Sequence, residues 1–399
     1  MQRFKAVQNI FFSAFCFIAV CLLVPNSVKA GSIERDAWGA DENIVVTKEE
    51  YAYPTKINLI VFKTADDYIS NSDDFIRNFY YYFATRSGFG DFPFHYVVTW
   101  DGKVYGGNKL GAEAKIELGG ESDALFIAYI PGSTGKLGAA SAGSIKDILL
   151  ESMNSYGISP KKVGIWQLGY ELGEKGEMDK TQLVDADKEA KSDFAKLLDS
   201  IAGNYSPKKR TYKVEIVDVV VPKEKVKIGE TAEVRIKVKN VGDYNIYSST
   251  NVFISLKEGA RSTFYLPSEW DSPYQVALLQ SGERLALEEE KEIIVKVGVP
   301  LFPPEKSEDF VITDSGGNVL KNTSFKIRLS IDKGEQEIIE VTDNPVGYLN
   351  VRSTPGLGDV ITKVVPGERF IVLETQDGYY KISANGKEGW VVSTYVEIV

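Results

Sequence analysis

The chain has 399 residues, of which 43% are hydrophobic and 12% aromatic, with 56 acidic side chains, 46 basic ones and a single histidine. That length and apolar content supply two to four domains with buried cores and exclude a disordered polymer. A formal charge of −10 argues against nucleic acid or anionic lipid as a partner.

Residues 1–30 have the three-part layout of a secretory signal peptide: Arg3 and Lys5, the unbroken apolar run Ile10–Val24, then Val28 and Ala30 as the small-residue pair before a cut. The run is short for a spanning helix, and an uncleaved membrane anchor is the alternative. Cleavage would remove Cys16 and Cys21, leaving neither a disulfide nor a thiolate ligand. Arg3, Lys5 and Lys29 would leave with no acid among them, so three positive charges are lost and the formal −10 becomes −13.

Residues 31–205 alternate strand and helix patterns. "INLIVF" and "PFHYVVTW" read as strands, the second joined to "KVYGG" through an Asp101-Gly102 turn suited to a hairpin. "SDDFIRNFYYYFAT" predicts a helix with Phe75, Phe79 and Phe83 on one face. "SIKDILLESMNSYG" predicts another, capped by Ser144 and stopped by Gly157, and Phe194, Leu197, Leu198 and Ile201 mark a third. Asn204–Tyr212 is polar and carries a proline, as linkers do. Residues 212–332 alternate at period two between turn residues, the pattern of a β-sandwich. Residues 338–399 have short strands and frequent glycines, the pattern of a small β-barrel.

The first region resembles the peptidoglycan recognition protein family, which shares its fold with zinc-dependent N-acetylmuramoyl-L-alanine amidases. The resemblance is carried by "RDAWGA" (Arg35–Ala40), "GFGDFPFHYVVTWDGKVYGG" (Gly88–Gly107), "GAEA" (Gly111–Ala114) and "YGISPKKVGIWQ" (Tyr156–Gln167). It implies the fold and, in active members, a zinc ion held by a histidine pair and a third ligand. This chain departs at each of those places. The His-His-Thr element reads Phe62-Lys63-Thr64, the GAHA element has Glu113, and the late histidine position falls on Trp166. The third ligand would fall near Glu174, and the tyrosine that polarises the amide in some members is Phe94. Catalytic zinc needs three protein donors and an open position at which water is acidified to a pKa of about 7. Phenylalanine and tryptophan have no usable lone pair, so the resemblance implies a pseudo-amidase with no catalytic residues, no metal and no cofactor.

Several residues near the former centre are candidate substrate contacts. Lys63 is either a solvated surface lysine or a partner for a stem-peptide carboxylate. Trp166 and Phe62 either fill the space a metal vacated or present faces to sugar rings. Phe94, His95 and Glu113 complete the set, His95 doubling as a hydrogen-bonded packing residue on its strand. Asp66 and Asp67 read as the acidic start of the following helix. An active amidase with an atypical site would gather Glu113, Glu174 and Asp91 to activate water.

The middle region resembles bacterial Ig-like domains through "VKIGETAEVRIKVKNVG" (Val226–Gly242) and "VGVPLFPPEKSEDFVITDSGG" (Val297–Gly317). The last resembles the bacterial Src-homology-3-like domain through "LNVRSTPG" (Leu349–Gly356), "GYYKI" (Gly378–Ile382) and "GKEGWVVSTYV" (Gly386–Val396). Relatives of that barrel sit beside wall hydrolases and can bind peptidoglycan peptides, which makes Arg352, Tyr379, Tyr380 and Tyr395 candidates to line a shallow peptide groove, with packing as the alternative role for each. Leu349, Val351, Ile382 and Trp390 are expected in its core. The predicted whole is multidomain: an α/β amidase-like domain, an Ig-like β-sandwich, then a small Src-homology-3-like β-barrel. The expected role is an exported protein of the periplasm, cell wall or extracellular space. It would bind peptidoglycan or muropeptides without cleaving them, with envelope proteins as further partners. The remaining alternative is an envelope scaffold that binds protein alone.

Overall fold

The computed structural model describes residues 31–63, 71–174, 178–207, 210–259 and 261–399. The predicted signal peptide, Thr64 and the Asp66-Asp67 pair lie outside the described residues. No helix among the described residues is long and apolar enough to cross a membrane.

The first region is built around a six-stranded sheet of β1 (Lys56–Val61), β2 (Tyr96–Val98), β3 (Val104–Gly106), β4 (Ala124–Tyr129), β5 (Val163–Leu172) and β6 (Met178–Asp185), in the order β3-β2-β4-β1-β5-β6. β1 lies parallel to both β4 and β5, and β2 is parallel to β4. Strands covered on both faces read as nearly continuous apolar runs, which is why "INLIV" shows no alternation. Successive side chains still part to opposite faces. Ile57, Leu59 and Val61 join one core with α3 (Ala139–Tyr156) and α4 (Lys188–Ala202). Ile60 and Phe62 join a second core with α1 (Arg35–Trp38) and α2 (Ser72–Tyr81).

Two helix expectations need revision. α3 begins at Ala139, because the Ala- and Ser-rich stretch before Ile145 continues the helix. Ser144 therefore lies inside it and caps nothing; its hydroxyl donates to the Gly102 carbonyl at 2.6 Å, and Ser141 donates to Thr99 O at 3.0 Å. These bonds hang the helix on the β2–β3 hairpin. α2 ends at Tyr81 and the chain continues for one wider turn over 82–86, in which Ser87 N bonds to Tyr82 O at 3.0 Å. Gly157 stops α3 in the left-handed conformation, as expected of a C-terminal glycine.

The second region is a sandwich. One sheet contains β7 (Val214–Val220), β9 (Thr231–Asn240) and β14 (Glu290–Gly298). The other contains β8 (Val226–Lys227), β11 (Phe253–Leu256), β12 (Gln275–Ala277), β15 (Glu305–Thr313) and β16 (Phe325–Asp332). A small ribbon of β10 (Ile246–Tyr247) and β13 (Arg284–Leu285) lies to one side. β9 alternates strictly, with Ala232, Val234, Ile236 and Val238 buried and the residues between them outward.

The third region is a barrel of β17 (Ile338–Val341), β18 (Leu349–Arg352), β19 (Val360–Val364), β20 (Arg369–Ile371), β21 (Glu374–Gln376), β22 (Tyr379–Ala384), β23 (Lys387–Val392) and β24 (Val396–Ile398). Leu349, Val351, Ile382 and Trp390 are all buried in it.

The regions meet through backbone and side-chain contacts. Tyr51 N bonds to Gly282 O at 2.7 Å, and Tyr53 N bonds to Ser249 Oγ at 3.0 Å. Gly282 takes a φ of +82°, and a Cβ there would come within 2.9 Å of Glu50 Cγ, so the approach requires glycine. The supposed linker is strapped down. Arg210 lies 4.1 Å over the Tyr53 ring and 5.0 Å over Tyr244, and its guanidinium donates to Ser155 O. Between sandwich and barrel, Arg369 donates to Leu301 O at 3.3 Å and lies 4.2 Å over Phe302, while Ile338 enters the sandwich core.

Candidate functional site

The resemblance puts the first zinc ligand at Phe62. That ring leaves the end of β1 and meets Phe79 edge-on at 5.1 Å and Phe94 at 5.6 Å. Phe75, Phe79 and Phe83 form a ladder along α2 and the turn that follows it, with successive centroids 5.3 and 4.9 Å apart. Trp166 pairs with Ile60 in the β1–β5 register, and its indole N–H donates to Asn58 Oδ1 at 2.9 Å. Buried Asn58 donates onward to Glu121 at 2.9 Å. Glu174 is exposed beyond the end of β5. Among the described residues, no three His, Cys, Asp or Glu side chains stand close enough to hold a metal ion. The donor set at 62, 166 and 174 does not fit a catalytic zinc: two positions are aromatic and committed to packing, and the third is exposed past the strand end.

His95 is 1% exposed. Its Nδ1 accepts from Phe126 N at 2.8 Å, which fixes the tautomer: Nε2 carries the proton and donates to Ala114 O at 3.0 Å. Both ring nitrogens are spent on backbone, so His95 has none to offer a ligand. Burial pushes its pKa down to about 4. Between about pH 6.5 and 4 the unfolded chain therefore holds the extra proton and the folded chain does not. Stability then falls as pH drops through that window, by roughly 3 kcal/mol at its lower end. His95→Gln is expected to flatten that dependence. Urea unfolding at pH 7 and pH 4.5 checks it, and an unchanged slope in the variant would assign the loss to other groups.

Phe94 is fully buried and touches Phe62, Phe79, Phe83 and Phe92. Glu113 is turned away from the former centre. Its carboxylate accepts from Asn245 at 2.9 and 3.1 Å and pairs with Arg284 at 2.5 Å, with side-chain exposures of 11% for Glu113 and 20% for Arg284. It is thus the joint between the first two regions, and a bound substrate could reach it only by displacing the sandwich. Asp91 is also occupied, accepting from Arg35 at 3.1 Å, Phe92 N at 2.7 Å and Lys109 N at 2.9 Å. Glu113, Glu174 and Asp91 face three different environments and do not assemble a water-activating group.

Lys63 is exposed at the mouth of a cleft of about 340 Å³ at the C-terminal ends of β1 and β4. Tyr129 and Phe194 line it, and Asp187, Glu189 and Asp193 bring three carboxylates from the start of α4. Those acids oppose a stem-peptide carboxylate at Lys63, which leaves the solvated surface lysine as the reading that the cleft favours.

A second depression, of about 410 Å³, lies on the barrel. Its walls are Tyr348, Tyr379, Trp390 and Tyr395, with Pro345 and Val346 at one end and Arg352 within. Tyr380 is absent from that lining and packs against the barrel core. The reason is the period of two along β22: Tyr380 shares the face of buried Ile382, so Tyr379 points the other way. Of the two tyrosines that the sequence offers for the groove, Ile382 as phase marker separates Tyr379 from Tyr380. Tyr348, beside Gly347 at the start of β18, gave no pattern to find it by.

Comparison with known proteins gives one family match: the model of the bacterial SH3 domain matches residues 347–397. No curated protein matches the chain. Among solved structures, the human peptidoglycan recognition protein PGRP-IBETAC, determined in complex with glycosamyl muramyl pentapeptide, is similar at 22% identity and a TM-score of 0.29, over 34% of this chain and 83% of that one. Drosophila peptidoglycan recognition protein SD is similar at 16% identity and 0.28, over 33% and 79%. The CARDB domain of a Pyrococcus furiosus protein, determined with di-metal ions, is similar at 14% identity and 0.21, over 31% and 96%.

Proposed function

We propose that this chain is an exported cell-envelope protein that binds peptidoglycan without hydrolysing it, and that the barrel groove makes the principal contact. The observation that carries this reading is the groove itself: four aromatic side chains around one arginine, on the segment that matches a bacterial SH3 domain. Aromatic faces bury apolar area against a ligand while a single polar group fixes its orientation. The α/β region serves as a scaffold, because the positions at which the resemblance expects zinc ligands are packed or exposed.

Co-sedimentation of the full chain with purified sacculi tests this. The protein is expected in the pellet, and Tyr379→Ala is expected to reduce the bound fraction at least fivefold, the loss of roughly 1 kcal/mol or more of aromatic contact. Mass spectrometry of the treated sacculi should find no released stem peptides. A supernatant-only result would remove the binding proposal, and stem-peptide release would remove the non-catalytic one.

A second reading, a scaffold that binds envelope proteins alone, is favoured by the occupation of Phe62, Trp166 and Glu113 by internal contacts. It predicts no sedimentation with sacculi freed of protein.

A further inference from the structure

Arg352 is half-buried in the barrel groove and is the one charged side chain among the described residues that line it. Of the other half-buried arginines among the described residues, Arg35 pairs with Asp91, Arg284 with Glu113 and Arg369 with Glu340 at 2.7 Å, while Arg210 has no carboxylate and is held instead by Ser155 O and the rings of Tyr53 and Tyr244. Arg352 forms no ion pair with any described residue. Its Nη1 donates to Gly358 O at 2.8 Å, which holds the guanidinium plane and leaves its other donors unused. The ladder between β18 and β19 shifts register between Val351 and Arg352, an irregularity of the kind that re-aims a side chain. A cation drawn partly out of water without a counter-charge loses free energy unless a ligand supplies the anion.

We propose that Arg352 is the receptor for the terminal carboxylate of a short peptide laid in the groove, an inference that rests on the binding role assigned to the barrel above. The fork of a guanidinium matches a carboxylate's two oxygens, and the surrounding aromatic walls strengthen the pairing by excluding water. One arginine balances one negative charge, which suits a carboxylate better than a phosphate dianion. The rest of the lining is apolar or amide, Val346, Leu349 and Val392 with Asn350, and that suits the small side chains and backbone of a peptide. A volume of about 410 Å³ is within the range of sites that enclose a small ligand.

The test uses the full chain and two synthetic stem peptides, identical except that one ends in a free carboxylate and the other in a carboxamide, titrated by calorimetry. The free acid is expected to bind at least tenfold more tightly than the amide. Arg352→Gln should weaken the free acid to the level of the amide, and Arg352→Lys, which keeps the charge but not the fork, should retain part of the difference. Inorganic phosphate at millimolar concentration should leave peptide binding unchanged. Equal affinities for the two peptides, discrimination that survives in Arg352→Gln, or displacement by phosphate would each overturn the assignment. If Arg352→Gln fails to fold, the comparison of the two peptides on the unaltered protein decides. Sacculus binding that persists without carboxylate discrimination would remove this inference alone, whereas loss of sacculus binding by the unaltered protein removes the reading beneath it.

Discussion

Arg284→Ala is expected to lower the stability of the full chain by about 3 kcal/mol or more, among the largest effects of any polar substitution. The arginine neutralises Glu113 in a contact that is largely closed to water. Removing it leaves a carboxylate with only the neutral donors Asn245 and Tyr247, and also removes the guanidinium lying 4.1 Å over Tyr51. The damage comes from the orphaned charge more than from the lost attraction. Arg284→Met combined with Glu113→Leu should therefore recover much of the loss, since apolar pairs of similar volume replace buried ion pairs at little cost. Urea unfolding of the three proteins, followed by tryptophan fluorescence and by far-ultraviolet circular dichroism, distinguishes these outcomes. If the double variant were as unstable as the single one, the joint would depend on the ion pair itself. If Arg284→Ala were neutral, the Arg284–Glu113 pair would contribute nothing to folding.

Phe94→Ala is expected to cost 3–5 kcal/mol, because a fully buried ring in contact with four others is removed and the space cannot close. Phe94→Tyr asks a finer question. It restores the side chain that the resemblance expects, yet places a hydroxyl among phenylalanine rings. An unpaired buried hydroxyl costs about 1–3 kcal/mol, so the tyrosine variant should melt below the unaltered protein and show no gain in amidase activity. Thermal melts and a muropeptide assay measure both. A tyrosine variant as stable as the unaltered protein would mean that the hydroxyl had found a partner and that a polar centre survives.

The architecture was legible where periodicity carries it. β9 alternates without a break, Phe75, Phe79 and Phe83 fall one helical turn apart, and Gly157 marks the end of α3. Absent lone pairs at 62 and 166 could also be read from residue identity alone. The partners of those residues could not. Glu113 looks like a groove residue from its neighbours in sequence, and only folding brings Arg284 to it from 171 positions away. Ser144 reads as a cap because it precedes an apolar run, whereas the helix begins earlier, on small residues that carry no periodic signal. Tyr379 and Tyr380 both read as groove candidates, because two adjacent tyrosines look alike until the strand's inward face is fixed by Ile382. Arg352 was visible as a residue, but the absence of any carboxylate beside it was not.

The joints between the three regions have a mechanical consequence. Arg210 clasped against Tyr53 and Tyr244, Glu113 gripped by Arg284, and Arg369 seated on Phe302 tie the regions together by side chains as well as by the chain. Tension applied at the barrel would reach the six-stranded sheet by shearing rings and ion pairs, before any covalent tether could lengthen.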